Sequence, residues 1–363
     1  MKKKLCRITA LLLAAVLSLG GCGQPGAGKK RTDSTQQTEE TKNKKEDQSK
    51  SDKKGPEIDG LTYESTMDLT YATEFDVYDY KDGYKLLDVH EDRQYLVVPE
   101  GKEAPEGLSE DIVVLQQPLD HIYMAATAIM SLLDAVDAID QVKFSGLNAS
   151  GWYVEDAKKA MESGDMIYAG KYSEPDYETL VNGECDLAVE STMILHTPKV
   201  QEMIEDLDIP VFVDYSSYES HPLGRTEWIK LYGAMLNKED AADRFFEKQA
   251  QVIEKLKGFE NTEKTVAYFY VNTDGSIVVR KSEDYIPSMI EIAGGRYAFK
   301  NLKNVDSNAP SVKLTMEEFY ATAVDADYLI YNSSIDASVK SIDDLLAKAT
   351  WKRRAICFPN LKQ

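Results

Sequence analysis

The stretch from Glu219 to Gly258 constrains the fold most, because it predicts two consecutive helices. Apolar residues in its first half recur at i, i+3, i+4 and i+7, which indicates a buried amphipathic helix ending near Leu236. Asn237 is then expected to cap a second helix that ends at Gly258. About 20 residues at roughly 1.5 Å each give a rod on the order of 30 Å. Such a rod predicts a spine between two lobes; the alternative is an ordinary core helix of one domain. The stripe of the first helix consists of Trp228, Leu231, Tyr232 and Met235.

The N-terminus predicts export followed by a lipid anchor. Four basic residues precede the apolar run Ile8–Leu19, so residues 1–21 form a signal peptide that is too short to span a membrane. Leu19-Gly20-Gly21-Cys22 resembles the lipobox of bacterial lipoproteins, which implies cleavage before Cys22 and acylation of its thiol. A plain signal peptide with an incidental cysteine is the alternative. Residues 22–55 lack aromatic side chains and are expected to be a disordered tether.

The charge balance excludes nucleic acid as a partner. The chain has 42 basic and 62 acidic residues, of which the signal holds 4 basic and the tether 9 basic and 6 acidic. This leaves 29 basic and 56 acidic residues from Pro56 onward, and such an excess repels polyanions. Beyond the signal and the anchor only Cys185 and Cys357 remain, which we expect to be free thiols, although a disulfide between them is possible in an exported protein.

The order of strand and helix patterns predicts an α/β fold. Asp82-Gly83 lies between two alternating apolar runs, as in an antiparallel hairpin. From Ile112–Leu115, taken as a first strand, and Ile122–Ile139, taken as a helix, strands alternate with helices, as around mostly parallel sheets. A similar pattern follows the spine. The predicted segments are an antiparallel β extension (56–110), an N-terminal α/β lobe (111–236), one long inter-lobe helix (237–258) and a C-terminal α/β lobe (259–363).

The motifs of common catalytic and metal sites are absent from the sequence. It contains neither of the glycine-rich phosphate loops nor a G-x-S-x-G elbow. The four histidines are far apart and none has a partner at metal-ligand spacing, so we expect no metal site. Adjacent Glu219, Ser220 and His221 do not have the spacing of a triad. The protein is therefore predicted not to be an enzyme.

Three motifs, in order, resemble the substrate-binding lipoproteins of bacterial ABC importers. The subgroup is the one whose lobes are joined by one long helix and which serves iron-siderophores, haem and cobalamin. The similarity covers Val113 to Tyr331. Two departures are the segment Leu61–Val98, which the smallest members lack, and a short second lobe, which is expected either to be truncated or to end out of register with its original reading frame. The motifs are PDYETLVNGECDLAVEST, the segment from DIPVFVDY through the spine, and YIPSMIEIAGGRYAF followed by LTMEEFYATAVDADYLIY.

The resemblance implies that Glu178 and Glu317 dock the two lobes onto basic pockets of the membrane permease. It also implies that Tyr172 and Ser191 contact the ligand, since they match ligand-contacting positions in the cobalamin-binding relatives. Other polar and aromatic residues at predicted strand ends or at the start of the spine are further candidates for the cleft. They are Trp152, Tyr153, Tyr215, Arg225, Asn272 and Asn332.

The leading hypothesis is a lipid-anchored, monomeric protein on the outer face of a bacterial membrane. It would capture a metal chelate, without any cofactor of its own, and deliver it to an ABC permease and its ATPase. The alternatives are a free-metal-binding or non-transport surface lipoprotein, such as an adhesin or sensor, and a surface hydrolase that would depend on Glu219, Ser220 and His221.

Overall fold

The computed structural model describes residues 54–90, 92–302, 311–336 and 338–349. The predicted signal peptide, Cys22, the tether up to residue 53 and Cys357 lie outside these residues. None of the helices in the described ranges combines the length and the apolar content that a bilayer crossing requires.

The N-terminal extension forms a five-stranded sheet with its strands in sequential order. The predicted hairpin is confirmed, because Asp82 and Gly83 have positive φ in the turn that joins two antiparallel strands. The strand at Ile112, predicted as the first of the N-terminal lobe, instead pairs in parallel with the last strand of this extension. The strands are β1 (Tyr63–Thr66), β2 (Phe75–Tyr80), β3 (Lys85–Val89), β4 (Gln94–Val98) and β5 (Ile112–Gln116).

The first lobe is built on a parallel sheet with the order β12-β11-β6-β7-β8. Its strands are β6 (Ile122–Met124), β7 (Val142–Ser145), β8 (Ile167–Tyr168), β11 (Leu187–Ser191) and β12 (Val211–Asp214), and a small hairpin of β9 (Gly170–Lys171) and β10 (Glu174–Pro175) lies outside this sheet. Its helices are α1 (Met130–Ala135), α2 (Glu155–Ser163), α3 (Tyr177–Asn182) and α4 (Pro198–Glu205).

The predicted helix Ile122–Ile139 is wrong over its first part. Ile122–Met124 is the central strand β6, and only Met130–Ala135 is α-helical. All three residues of this strand are buried because it lies between β11 and β7, so it lacks the polar alternation of a half-exposed strand. Periodicity alone does not distinguish such an apolar run from a buried helix.

The two predicted helices of the central stretch are confirmed as α5 (Pro222–Leu236) and α6 (Glu239–Leu256). The predicted role of Asn237 is wrong: it ends α5 in the left-handed conformation, with φ 56°, and Lys238 precedes α6. Asparagine tolerates this conformation, which suits a helix C-terminus. Ala242 and Phe246 of α6 are buried in the core of the first lobe, so the long helix packs as part of that lobe.

The second lobe has a separate hydrophobic core around Phe269, Phe299 and Phe319. Its sheet is mixed: β13 pairs in parallel with β15 and β17, whereas β14 is antiparallel to β13 and β16. Two separate cores and mostly parallel pairing in the first lobe confirm the predicted α/β fold class. The elements are β13 (Lys264–Val271), β14 (Ile277–Arg280), α7 (Tyr285–Ile292), β15 (Gly295–Tyr297), β16 (Ser311–Leu314), α8 (Met316–Ala323), β17 (Tyr328–Tyr331) and α9 (Ile342–Lys348).

Two buried carboxylates attach the N-terminal sheet to α5. Glu227, which is 0% exposed, accepts hydrogen bonds from the backbone N–H groups of Thr70, Tyr71 and Ala72 at 2.7–3.0 Å. The Lys230 ammonium pairs with the same carboxylate at 3.0 Å. Glu219 accepts hydrogen bonds from the backbone N–H groups of residues 73 and 74, which follow Ala72 in the same segment, at 3.0 and 3.1 Å. The β1–β2 connection is thus held by charge-assisted hydrogen bonds across more than 140 residues of sequence.

Replacing Glu227 with Ala is expected to lower the free energy of unfolding by about 3–5 kcal/mol, because it leaves three backbone N–H groups without their acceptor and removes the carboxylate that pairs with the Lys230 ammonium. Urea denaturation measures this loss. Glu247→Ala, at an exposed position of α6, is the matched control and should change stability by less than about 0.5 kcal/mol. Equal midpoints for the two variants would contradict the attachment.

Candidate functional site

A cavity of about 780 Å³ lies between the two lobes. On the first lobe it begins where β11 and β12 end, at Thr192 and Ser217, and on the second lobe it is formed by the loop from Arg280 to Tyr285. Ligands of open parallel sheets bind beyond the carboxyl ends of the strands, which is where this cavity lies. The lining is completed by Tyr218, Glu219, Arg225, Phe299, Leu302 and Val312.

Arg225 connects the two walls of the cavity. It lies in the first turn of α5, and its guanidinium group donates to the backbone carbonyls of Glu219, at 3.3 Å, and Ser217. The guanidinium carbon stands 3.6 Å from the centre of the Tyr285 ring, which belongs to the second lobe. Burial lowers the pKa of Arg225 from its ordinary value. Because an arginine pKa begins above about 12, the group stays charged, and the contact is a cation–π interaction between lobes.

Arg280 supplies a second guanidinium from the opposite wall. It is the last residue of β14, and its Nη1 lies 3.5 Å from Oδ2 of Asp284. Its Nε–H is buried without an acceptor in the described part of the chain. Asp284 also caps α7 by accepting from the N–H of Ile286 at 2.9 Å. The cavity therefore receives arginine groups from both lobes and the positive end of a helix dipole.

The carboxylate of Glu219 adds little free negative charge to this cavity. It is 1% exposed, and its oxygens accept from the backbone N–H groups of Thr73 and Glu74 and from Nε1 of Trp228 at 3.0 Å. These donors offset its charge locally. The same contacts argue against a Glu219-Ser220-His221 triad. His221 Nδ1 accepts from the N–H of Leu223 at 3.1 Å, and its ring stacks on Tyr71.

The structure brings one predicted ligand residue, Arg225, into the cavity, and the ligand roles of the others stay predictions. Ser191 directly precedes Thr192 of the lining. Tyr215 is buried against the Tyr218 ring, with centroids 5.5 Å apart. Trp152 is buried and donates from Nε1 to Ser145 Oγ at 2.9 Å, which is a core contact.

The remaining predicted ligand residues lie outside the cavity lining. Tyr153 is 99% exposed at the loop after β7. Tyr172 lies in the turn between β9 and β10. Asn272 donates to Ser276 within the β13–β14 turn, and Asn332 caps the turn after β17. Tyr172 and Asn272, both candidates for the ligand cleft, are not among the residues that line this cavity, and their ligand roles stay predictions.

The two predicted docking glutamates occupy matching positions. Glu178 and Glu317 lie exposed in the first turns of α3 and α8. Each helix is followed by an Asp and a parallel strand, Asp186 before β11 and Asp327 before β17. The two lobes therefore share the order of a helix, an Asp and a parallel strand.

Arg280 and Tyr285 were not predicted from the sequence. A signal for them exists: Arg280 ends an apolar strand, and Asp284 before Tyr285 is a helix N-cap, so both positions fall at a strand-to-helix loop.

Glu190 of β11 was not predicted either. It is 0% exposed, and its two carboxylate oxygens lack partners among the described residues. Burial raises the pKa of Glu190 from its ordinary value of 4.5 to about 9. Burial likewise raises the pKa of the Cys185 thiol to about 12, so this cysteine is an inert core residue.

Comparisons with known proteins place this architecture among two-lobed binding proteins. The family model described as "Periplasmic binding protein" matches residues 124–355. Because this match covers more than half of the chain, the chain belongs to the periplasmic binding protein family, the class that the sequence resemblance indicated. Members of this family are binding proteins rather than enzymes, and they serve ABC importers outside the cytoplasm.

Two curated relatives are uncharacterized lipoproteins of Methanocaldococcus jannaschii. One is 29% identical over 246 residues, which are 64% of this chain and 56% of that protein. The chain thus spans little more than half the length of that relative. The other is 23% identical over 355 residues, which are 95% of this chain and 84% of that protein.

Two solved structures share the fold. The periplasmic heme binding protein HutB of Vibrio cholerae aligns with a TM-score of 0.50 at 17% identity, over 63% of this chain and 82% of its own. A periplasmic binding protein from Veillonella parvula also gives 0.50, at 11% identity, over 78% of this chain and 86% of its own.

Replacing Glu190 with Met is expected to remove a pH-dependent loss of stability. Between pH about 4.5 and 9 the unfolded chain releases the Glu190 proton while the native chain keeps it, so native stability falls as pH rises through this window, by up to about 1.4 kcal/mol per pH unit. Methionine has no proton to lose, so the free energy of unfolding of the variant, relative to that of the wild type, should increase from pH 5 to pH 9. Urea denaturation across this range measures it, with Glu162→Met at an exposed position of α2 as control. Parallel pH profiles for the wild type and Glu190→Met would contradict the expectation.

Proposed function

We propose that this protein is the extracytoplasmic binding component of an ABC importer and that it captures an anionic metal chelate between its lobes. Membership of the periplasmic binding protein family supports the general role. The observation that carries the finer statement is the placement of Arg225 and Arg280 on opposite walls of one cavity. Iron-siderophore, haem and corrinoid-type chelates are the candidates.

The charge of the cavity favours chelates that carry carboxylate or catecholate oxygens. A guanidinium group presents a planar fork of N–H donors that matches such oxygens. The chain from Pro56 onward has 27 more acidic than basic residues, whereas the cavity lining has three of each: Arg225, Arg280 and Lys281 against Glu219, Glu283 and Asp284. The cavity is therefore less negative than the chain as a whole. Arg225 and Arg280 already have contacts within the protein, and Nε of Arg280 is a buried donor that an anionic oxygen of a ligand would satisfy.

The size and the aromatic groups of the cavity suit the same class of ligand. Its volume of about 780 Å³ lies within the range of roughly 300–1,000 Å³ that small-molecule sites occupy. Tyr218, which is 55% exposed, and Tyr285 offer ring faces to planar parts of a chelate.

Intrinsic fluorescence of the full-length chain in detergent is expected to be quenched by at least one member of a panel of ferric catecholates, ferric carboxylates, ferric hydroxamates, haem and corrinoids. Arg280→Ala should weaken binding of an anionic member by about 10-fold or more, since it removes a charge-assisted hydrogen bond worth roughly 1.5–3 kcal/mol. Arg244→Ala, an exposed position on α6, is the matched control and should bind as the wild type does.

Three outcomes separate the alternatives. Quenching by bare zinc or manganese ions, without any chelate, would favour a free-metal-binding protein of the same fold. No response to any chelate or metal would favour an adhesin or sensor. Binding of a chelate that Arg280→Ala leaves unchanged would refute the arginine pair as the anion site while retaining the general role.

Delivery to a permease is proposed to use Glu178 and Glu317. Both carboxylates are exposed in the first turn of a helix, at corresponding places of the two lobes. Acidic groups at two separated points suit a salt-sensitive encounter with basic pockets of a membrane partner. A permease, its ATPase and a lipid anchor at Cys22 are the partners and the attachment implied by this role, and the protein is proposed to act as a monomer on the outer face of the membrane.

The double variant Glu178→Lys/Glu317→Lys should bind the ligand normally but lose stimulation of the permease-coupled ATPase in proteoliposomes. The reversed charges would repel the basic pockets, whereas the cavity is lined by other residues. Glu162→Lys/Glu247→Lys, which makes the same charge change at exposed positions on α2 and α6, is the control. Full stimulation by the docking variant would exclude these two glutamates from the encounter.

A further inference from the structure

A cluster of metal-ligating side chains lies at the edge of the first lobe opposite the cavity, where β6 and β11 begin. Asp120 and His121 directly precede β6, and Asp186 directly precedes β11. Oδ2 of Asp186 accepts from the backbone N–H groups of Asp120 and His121 at 2.8 and 2.9 Å. One ligand atom from each of the three side chains lies within 4.8 Å of the other two.

The second lobe repeats this construction with one difference. Asp327 precedes β17, and its Oδ2 accepts from the backbone N–H of Thr265 at 2.9 Å. Its other oxygen, Oδ1, receives the Lys264 ammonium at 2.7 Å. The lobe thus supplies its own cation to the aspartate that opens a parallel strand.

Strand register shows that Asp120 occupies the position of Lys264. Leu187, the residue after Asp186, pairs with Ile122, and Tyr328, the residue after Asp327, pairs with Val266. Asp120 stands two residues before Ile122, and Lys264 stands two residues before Val266, so the two occupy the same register position. A carboxylate in the first lobe therefore replaces the ammonium of the second.

Because Asp120 stands where Lys264 stands in the second lobe, Asp186 does not receive an ammonium group at this position as Asp327 does. Oδ1 of Asp186 is buried and has no hydrogen-bond partner among the residues that the structure describes. This is the oxygen whose counterpart in the second lobe binds an ammonium group. A cation bound at this oxygen would offset the repulsion between the neighbouring carboxylates of Asp120 and Asp186.

His121 makes the kind of hydrogen bond that metal-binding histidines make through the ring nitrogen that does not bind the ion. Its Nδ1 lies 3.3 Å from the backbone carbonyl oxygen of Glu184. A carbonyl oxygen only accepts, so this contact holds the proton on Nδ1 and leaves the lone pair of Nε2 for a ligand bond. Ligating histidines usually donate their other N–H to a carbonyl or carboxylate in this way.

We propose that Asp120, His121 and Asp186 bind a divalent cation of the zinc type, in the place that Lys264 fills in the second lobe. One imidazole nitrogen and two carboxylate oxygens leave one position of a tetrahedral ion for water. Ligand atoms around tetrahedral zinc stand roughly 3.4 Å apart, so binding would require the three side chains, of which Asp120 is exposed, to move closer together. The ion would tie the start of β6 to the start of β11. It lies at the edge away from the cavity and is a role beyond ligand capture.

The decisive variant is Asp120→Lys, which places a lysine at the position that Lys264 occupies in the second lobe. The full-length chain without a histidine tag is expected to retain one zinc ion per chain after equilibrium dialysis and to melt at a higher temperature with zinc than with a chelator. Asp120→Lys should lose the bound zinc and the zinc-dependent shift, while melting above the wild type when both are free of metal. His121→Ala should lose the zinc without that gain. Glu202→Lys, which makes the same charge change at an exposed position on α4, should behave as the wild type.

Two results would overturn the proposal. One is a wild-type chain that retains no zinc, and the other is zinc retention that persists in both Asp120→Lys and His121→Ala. If Asp120→Lys does not fold, judged by far-ultraviolet circular dichroism, Asp120→Asn replaces it and should likewise lose the zinc. Chelate quenching measured on the same variants is independent of this outcome, because the cavity is lined by other residues.

Discussion

The attachment of the segment Thr70–Glu74 to α5 is the interaction on which the rest of the arrangement depends. Two carboxylates, Glu219 just before α5 and Glu227 within it, accept five backbone N–H groups of this segment. Both carboxylates are almost fully buried, so each hydrogen bond forms where water does not compete. They add directional bonds to the hydrophobic core that the extension shares with the lobe bearing the cavity.

Helix α5 combines structural and functional roles because of this attachment. Its buried face contains Trp228, which packs against Phe75 of the extension with ring centroids 4.9 Å apart. Its first turn holds Arg225, which reaches the second lobe. The direction of the guanidinium group is therefore determined by a helix whose position is secured on several sides. A group held in this way loses little conformational freedom when a ligand arrives.

Much of the fold was predictable from sequence, and the failures have identifiable physical causes. Helix α6 was recognised from its amphipathic pattern over 18 residues, whereas α5 was recognised from one stripe of four apolar residues although it is buried on most sides. Strand β6 was not, because a strand buried on both faces is apolar throughout. In the cavity, Arg225 was expected because it opens a recognisable helix. At the opposite edge of the lobe, the contact of Asp120 with Asp186 joins residues that are 66 positions apart and depends on strand order. The spacing of residues along the chain does not show which strands are neighbours in the sheet.

The stacking of Arg225 on Tyr285 has a consequence for the order of events in capture. The guanidinium group contacts an aromatic ring on the opposite wall of the cavity, so the proposed ligand must either bind beside the Tyr285 ring or displace it from Arg225. In the first case the tyrosine helps to enclose the ligand; in the second, the lobes separate as the ligand binds. Under the proposed function, selectivity then depends on competition with a side chain of the protein itself, and not only on the fit of the final complex.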